Sequence, residues 1–420
     1  MKKIFLSAVV NTAGTITYYL SLWLITMVIS KLSLRSYYDV GVFSIAMSFG
    51  NIFFSIAHFG ARELQISDIN NEYKNNEYHA FRIITCLGSI VLCVICALVL
   101  GYREDIIIAI TIFIVYKAWD AYSDVFYGFS QIYGHLEYAG YSMFIKGILI
   151  FGFFTMILTL TQNIQLSMLS LVFCSAGTNI LYDQRKVAQL SKSQKIELRE
   201  ILSYIPKFKK IFLVTFPLML NTIIIPLMIA IPRLLLEKIY DAKLLGIFTS
   251  VTAPTVVIST FITTAALPLI PSMAEAWLNG KRMKFIAILG IPAIIVLLIC
   301  LSIIPFALRF GGMLLTILYT EEISSYVSLF VLAIVVSCLL SCVVLFNNTL
   351  VSMRKIKELI IFSLIACFTV MIVSIPFIKK WALYGALYAL GIAYSFQFIL
   401  QFTYILYKLI AVRKSHRHFV

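Results

Sequence analysis

Lys117, Asp120 and Asp124 stand three and four residues apart in IFIVYKAWDAYSDVFYGFSQ, a spacing that puts one cation and two carboxylates on a single helix face. The stretch around them is apolar enough to cross a bilayer, where each such charge costs about 2.5–3.5 kcal/mol on insertion scales. Lys117 and Asp120 can neutralise one another, whereas Asp124 needs a further partner or water. Tyr127 and Gln131 prolong the stripe, and Val115, Tyr122 and Phe126 form the opposite face. A fixed ion pair that orders a helix bundle accounts for two charges but not for a third on the same face. The stripe is therefore read as the wall of a wet, charge-lined cavity. A sugar-stacking role for Tyr116, Trp119, Tyr122 or Tyr127 ranks below that reading.

Three further cations border apolar runs. Arg62 follows Gly60 in AHFGARELQISDIN, and Arg233 follows Pro232 in MIAIPRLLLEKIYD. Each breaker would let its arginine turn toward the interior, and the plain alternative is a side chain that snorkels to a headgroup. Lys146 opens the fifth expected span, where snorkelling is the default. His58, one turn before Arg62, reads as a packed neutral imidazole. No HExxH, GxSxG or Walker A pattern and no Asp-rich metal motif occurs, so bond-making chemistry is not indicated.

The elements that must hold these residues follow from composition. Of 420 residues 61% are apolar and 13% charged, against roughly half and a quarter in a soluble domain. The apolar fraction amounts to about 256 residues, enough for a dozen helices at about 20 residues per crossing. A mean hydropathy of +0.96 agrees. The expected fold is an all-α polytopic membrane protein with spans near 8–30, 40–60, 83–101, 106–127, 140–160, 164–182, 208–231, 245–270, 286–307, 323–346, 358–378 and 383–408. The first is read as an uncleaved span, since its apolar run shows no cleavage pattern. The domains expected are a six-helix bundle over 1–182, a polar cytoplasmic linker with an amphipathic helix over 183–207, and a second six-helix bundle with a basic cytoplasmic tail over 208–420. Pro217, Pro226 and Pro232 are expected to interrupt the seventh span, and Pro254 and Pro268 the eighth.

The formal charge of +15 would suggest nucleic acid in a soluble protein. Here 24 of the 34 lysines and arginines fall in segments on one side if the N-terminus is inside, and nine on the other. That bias places both termini in the cytoplasm and leaves no role for nucleic acid. All eight cysteines lie in apolar runs, including the CxxC of Cys93 and Cys96, and read as packing residues. YDVGVFS at 38–44 and YDAKLLGIFTS at 240–250 mark a weak internal repeat. An even number of spans per half makes such repeats parallel, related by a pseudo-two-fold along the membrane normal, with a central cavity between the bundles.

Several segments carry a family resemblance. FGARELQISDINNEYKNNEYHAFRIITC (59–86) resembles a Gly-x-Arg-x-x-Gln-x-Ser-Asp segment followed by Tyr and Arg-x-x-Thr. YKAWDAYSDVFYGFSQIYGHLEYAGYSMFIKG (116–147) is similar to Lys-x-x-Asp-x-x-x-Asp-x-x-x-Gly-x-x-Gln. IPRLLLEKIYDAKLLGIF and RFGGMLLTILYTEE resemble second-half landmarks. These are features of the Wzx-type flippases for O-antigen or capsular repeat units, within the superfamily that also holds multidrug extruders. Ala230 stands where the family commonly has Asn before Pro-Arg. The resemblance implies an undecaprenyl-pyrophosphate-linked oligosaccharide as substrate, moved to the outer leaflet of the bacterial cytoplasmic membrane by alternating access. Membrane lipid, a polymerase and other glycan-assembly proteins are the partners it implies. By matching position it makes Arg62, Lys117, Asp120, Asp124 and Arg233 functional candidates, and Lys146 lies in the second of the matching segments. No cofactor is implied, and coupling to an H+ or Na+ gradient is left open. A cation-coupled drug extruder of the same superfamily is the competing transporter. A membrane glycan polymerase or ligase ranks lower because the outer loops are short.

Overall fold

The computed structural model describes residues 2–68, 72–191, 205–256 and 269–417, and every regular element among them is helical. Packing divides the chain into two compact units, Met1–Pro226 and Leu227–Val420.

The first unit opens with α1 (Lys2–Leu32), α2 (Tyr37–His58) and the short α3 (Ala61–Ser67). It continues with α4 (Asn75–Val99), α5 (Glu104–Ile132), α6 (Glu137–Thr161) and α7 (Ile164–Thr178). A π-helical turn, Asn179–Asp183, then runs into α8 (Gln184–Ser191). Asp183, expected to begin the polar linker, is instead buried with the bundle, and residues 192–204 of that linker lie outside the described residues. The helix α9 (Ile205–Ile239) crosses the boundary between units. Its first half packs with the first unit, where Ile211 and Met219 join Phe59, Phe81 and Phe129 in one apolar cluster.

α5 is the hub of this unit and packs against α2, α4 and α7. It carries the expected Lys117–Asp124 stripe. α1 and α6 cross most closely where Gly14 and Gly140 meet: a Cβ on Gly140 would lie 2.5 Å from the Val10 carbonyl oxygen, and one on Gly14 would lie 2.0 Å from the Gly140 oxygen. Small residues at such a crossing let backbones approach, which is how helices associate in lipid.

In the second unit α10 (Ala242–Thr252) ends in a 3-10 turn at Ala253–Thr255. After residues 257–268, which lie outside the described residues and include Pro268, come α11 (Ile270–Leu278), α12 (Arg282–Leu318), α13 (Val327–Ser352) and α14 (Ile356–Arg417). α14 is two spans joined at a bend, because Ala382 has non-helical backbone angles. Among the described residues, counting α14 once, ten segments are long and apolar enough to cross a membrane. The chain is a multi-pass membrane protein of the helical class expected.

Two expectations about local structure change. Pro254 does end a helix, but α9 runs unbroken as a helix through Pro217, Pro226 and Pro232. Apolar surroundings make an unfolded turn more costly than one lost hydrogen bond. Cys300 and Cys338 are joined as a disulfide between α12 and α13, so these two cysteines crosslink rather than merely pack.

The crossing of α1 and α6 can be tested with two valines on one helix. Gly140→Val must displace backbone and should cost about 1–3 kcal/mol, as overpacking does. Gly152→Val has open space, with nothing within 4 Å of its Cβ, and should leave stability unchanged. Thermal unfolding of the two purified variants in detergent compares them.

Candidate functional site

The site grows from the two carboxylates of α5. Asp120 receives Lys146 Nζ from α6 at 3.0 Å and Lys117 Nζ from its own helix at 3.5 Å. Ser175 of α7 donates a hydrogen bond to it at 2.9 Å, and the Tyr18 hydroxyl of α1 donates another. Four helices thus converge on one carboxyl group. Lys117 is enclosed as well as paired: its ammonium lies 4.8 Å from the Tyr116 ring centroid and 5.4 Å from that of Phe54, positions that favour a cation.

One turn further along, Asp124 collects three partners from the neighbouring helices. Arg62 Nη1 donates at 2.9 Å, His58 Nε2 lies at 2.8 Å, and Arg82 Nη2 approaches to 3.4 Å. Arg62 also donates to Gln131 at 3.0 Å. The local fold explains how Arg62 arrives there. Phe59 and Gly60 both take left-handed backbone angles, so α2 stops and α3 sets off in a new direction. A side chain on residue 60 would also strike Leu218 Cβ at 2.6 Å, which leaves glycine the residue that fits.

Arg82 closes this end of α2 from α4. Its guanidinium donates to the Ala57 carbonyl at 3.0 Å and to that of His58, and Thr85 donates to Ala57 at 2.9 Å. These are the Arg and Thr of the Arg-x-x-Thr segment. Gln65 donates to the Val125 carbonyl at 3.3 Å and its amide leaves no room for a Cβ on Gly128. Asp68 accepts from the Glu72 and Tyr73 amides at 2.8 and 3.1 Å and from the Tyr78 hydroxyl at 2.9 Å. Partial burial works against its ionisation, but these donors, with Lys210 nearby, hold its carboxyl below the usual range. The Arg, Gln and Asp of the first motif thus position, respectively, a cation, a helix contact and a loop.

Five of the six expected site residues come together in the first unit: Arg62, Lys117, Asp120, Asp124 and Lys146. Arg233 lies in α9 within the second unit, in electrostatic reach of Tyr394. Pro232 does not break the helix there, so the mechanism suggested for turning Arg233 inward is absent. Lys146 does not snorkel; its side chain is 2% exposed and bound to Asp120. Lys117 is 7% exposed and Arg62 22%, so the more accessible cation is Arg62, while Lys117 belongs to the packed wall behind it.

Sequence reasoning missed Arg82, whose side chain is wholly buried, and Asp183, a buried carboxyl group in electrostatic reach of Lys146. Arg82 had a signal in its motif but sits where a cation ordinarily meets headgroups. Asp183 had none, because it opens the most polar stretch of the chain. Four basic side chains (Arg62, Arg82, Lys117, Lys146) meet the carboxyl groups of Asp120, Asp124 and Asp183, and Glu63 is in electrostatic reach of Arg82. The partly exposed guanidinium among them suits an anionic group that leaves water.

No known family model matches the chain. It is 27% identical over 383 residues to the capsular polysaccharide biosynthesis protein CapF of Staphylococcus aureus, covering 91% of this chain and 93% of that one. Among solved structures it resembles an inward-facing multidrug resistance MATE family transporter of the MOP superfamily, with a TM-score of 0.74, 15% identity and coverage of 97% and 99%. It also resembles the lipid II flippase MurJ in an inward closed conformation, with a TM-score of 0.71, 11% identity and coverage of 96% and 87%. The fold is that of these two solved structures.

Two predictions follow the geometry. Arg82→Ala removes a fully buried guanidinium from Asp124 and from the Ala57 and His58 carbonyls, though Thr85, Arg62 and His58 remain as partners on two of these acceptors. It should destabilise the protein by about 1–3 kcal/mol. Arg62→Ala should cost clearly less, because its side chain is partly solvated; melting of the purified variants ranks the two. For Asp68 the folded carboxyl is the stronger acid, so its contribution is fully present above the ordinary pKa of about 3.9. It is lost as pH falls through the lower folded value. Hydrogen-exchange protection of the Glu72 and Tyr73 amides should therefore hold at neutral pH, fall in acid below that range, and be weakened at neutral pH in Asp68→Asn.

Proposed function

We propose that the protein is a flippase that moves undecaprenyl-pyrophosphate-linked oligosaccharide repeat units from the inner to the outer leaflet of the bacterial cytoplasmic membrane, for capsule, O-antigen or a related surface glycan. The observation that carries this reading is Arg62: a partly exposed guanidinium, held by a carboxylate that has two other cationic or imidazole partners. A pyrophosphate can take Arg62 from Asp124 without stranding that carboxylate, since Arg82 and His58 remain on it. Bidentate guanidinium–phosphate pairing matches the geometry of both groups. Asp120 keeps Lys117 and Lys146 in place.

In this account the termini and α3 face the cytoplasm, as the basic-residue bias indicates. The pyrophosphate approaches Arg62 there with its hydrocarbon chain left in lipid, and access then alternates to the outer side. Arg233 is a candidate for a later contact with the substrate. The names of CapF and of the lipid II flippase support a lipid-linked glycan. The likeness to a multidrug transporter favours a second reading, extrusion of cationic drugs, which a partly exposed arginine as the accessible charge disfavours.

The test is complementation of a deletion strain. Loss of surface glycan on deletion, restored by the wild type and by Arg62→Lys to a large extent but reduced at least tenfold by Arg62→Ala at equal expression, is the expected result. Full glycan export by Arg62→Ala contradicts the role of the charge. Unchanged glycan together with drug sensitivity on deletion selects the extruder.

A further inference from the structure

At the other end of the first unit lies a cavity of about 660 Å³, bounded by the turn before α2, the start of α5 and the turn from α6 to α7. That volume is in the range of small-molecule sites, roughly 300–1,000 Å³. Asp105, in its wall, precedes Asp124 by 19 residues on α5, about 28 Å along the helix. This is close to the hydrocarbon thickness of about 30 Å, so the cavity opens at the membrane surface opposite to Arg62.

The wall is built and also incomplete. Gln165 Nε2 donates to the Asp105 carbonyl at 3.0 Å, tying the α6–α7 turn to α5. Asn163 caps α7 by accepting from the Gln165 and Leu166 amides. Two side-chain acceptors there are buried without a hydrogen-bond donor: Gln162 Oε1 and Asp105 Oδ1. The latter is ion-paired with Arg103 Nε at 3.4 Å, and Tyr38 donates to the other oxygen of the same carboxylate at 3.5 Å, so the acceptor left without any partner is Gln162 Oε1. Gln162 closes α6 as its left-handed C-cap, its backbone amide donating to the Leu158 carbonyl, which fixes the side chain at the turn.

The charges decide the ligand class. Arg35 and Arg103 face Asp39, Glu104 and Asp105, a net negative wall that disfavours phosphate and anionic headgroups. Among the described residues no group of three or more His, Cys, Asp or Glu is arranged to hold a metal ion. What is missing is a donor to Gln162 Oε1. Sugar hydroxyls are donors, and carboxylates, amides and guanidinium groups match them in pairs. We infer that this cavity is a saccharide subsite on the far membrane face, which takes a neutral, hydroxyl-rich segment of the glycan after translocation. The identity of the sugar rests on the flippase reading; the existence of the subsite rests on the cavity and the unpaired Gln162 acceptor.

The experiment uses the full chain in lipid nanodiscs and, as probe, the oligosaccharide freed from its lipid pyrophosphate by mild acid from cells that make the surface glycan. Saturation-transfer NMR should show saturable binding to the wild type, with the dissociation constant raised at least tenfold in Gln162→Ala and raised in the exposed-residue variant Glu104→Ala, both checked for unchanged melting. Gly152→Val should bind the freed sugar as the wild type does. Absence of saturable binding to the wild type, undiminished binding in both cavity variants, or loss of binding in Gly152→Val overturns the subsite. If deletion still abolishes surface glycan, the flippase reading survives that failure. If deletion leaves the glycan intact while the sugar binds as described, the flippase reading fails and the subsite stands.

Discussion

Two carboxylates on one face of α5 cannot stay ionised in the interior of a membrane bundle unless cations reach them, and the first unit is arranged around that requirement. Lys146 comes from α6, Arg82 from α4 and Arg62 from the start of α3. Each ion pair fixes a helix to α5 at a particular height, since breaking one leaves an uncompensated charge in low dielectric. The same constraint explains the Phe59–Gly60 turn. Without it α2 would continue straight and Arg62 would project elsewhere.

The pairs differ in how freely they can be exchanged. Lys146 and Arg82 are sealed, and Lys117 is boxed by Tyr116, Phe54 and Asp120. Arg62 alone among these four cations keeps over a fifth of its side chain exposed. A structure that must hold its charges and still offer one to a solute has solved two conflicting demands by redundancy, giving Asp124 more partners than one carboxylate needs. Gln131 receives Arg62 in the same spirit, as a neutral acceptor that holds without competing strongly.

Much of this was legible in the sequence and some could not be. Hydropathy and the three-and-four spacing suffice to find the α5 stripe, and the missing partner of Asp124 follows from counting charges. Gly60 as a breaker was legible because glycine tolerates the backbone angles found there. Lys146 was misjudged because a lysine near a helix start has an easy escape to the headgroups, and only the position of α6 beside Asp120 removes it. Arg82 met the same ambiguity. Pro232 misled in the opposite sense: a missing hydrogen bond is a local penalty, and continuity of α9 is decided by the apolar surroundings of the whole helix. Cys300 and Cys338 are 38 residues apart, and no local pattern distinguishes them from the packing cysteines. Both Tyr-Asp copies fall at helix starts: Asp39 lies in the first turn of α2, and Asp241 caps α10.

The central claim is that an exchangeable guanidinium receives a pyrophosphate. Its most direct measurement is the binding of a polyprenyl pyrophosphate and of the matching uncharged polyprenol to the purified protein in nanodiscs, with and without Arg62. The account predicts that the wild type prefers the pyrophosphate by at least tenfold and that Arg62→Ala removes most of this preference. An equal preference in both proteins, or none in the wild type, would contradict it.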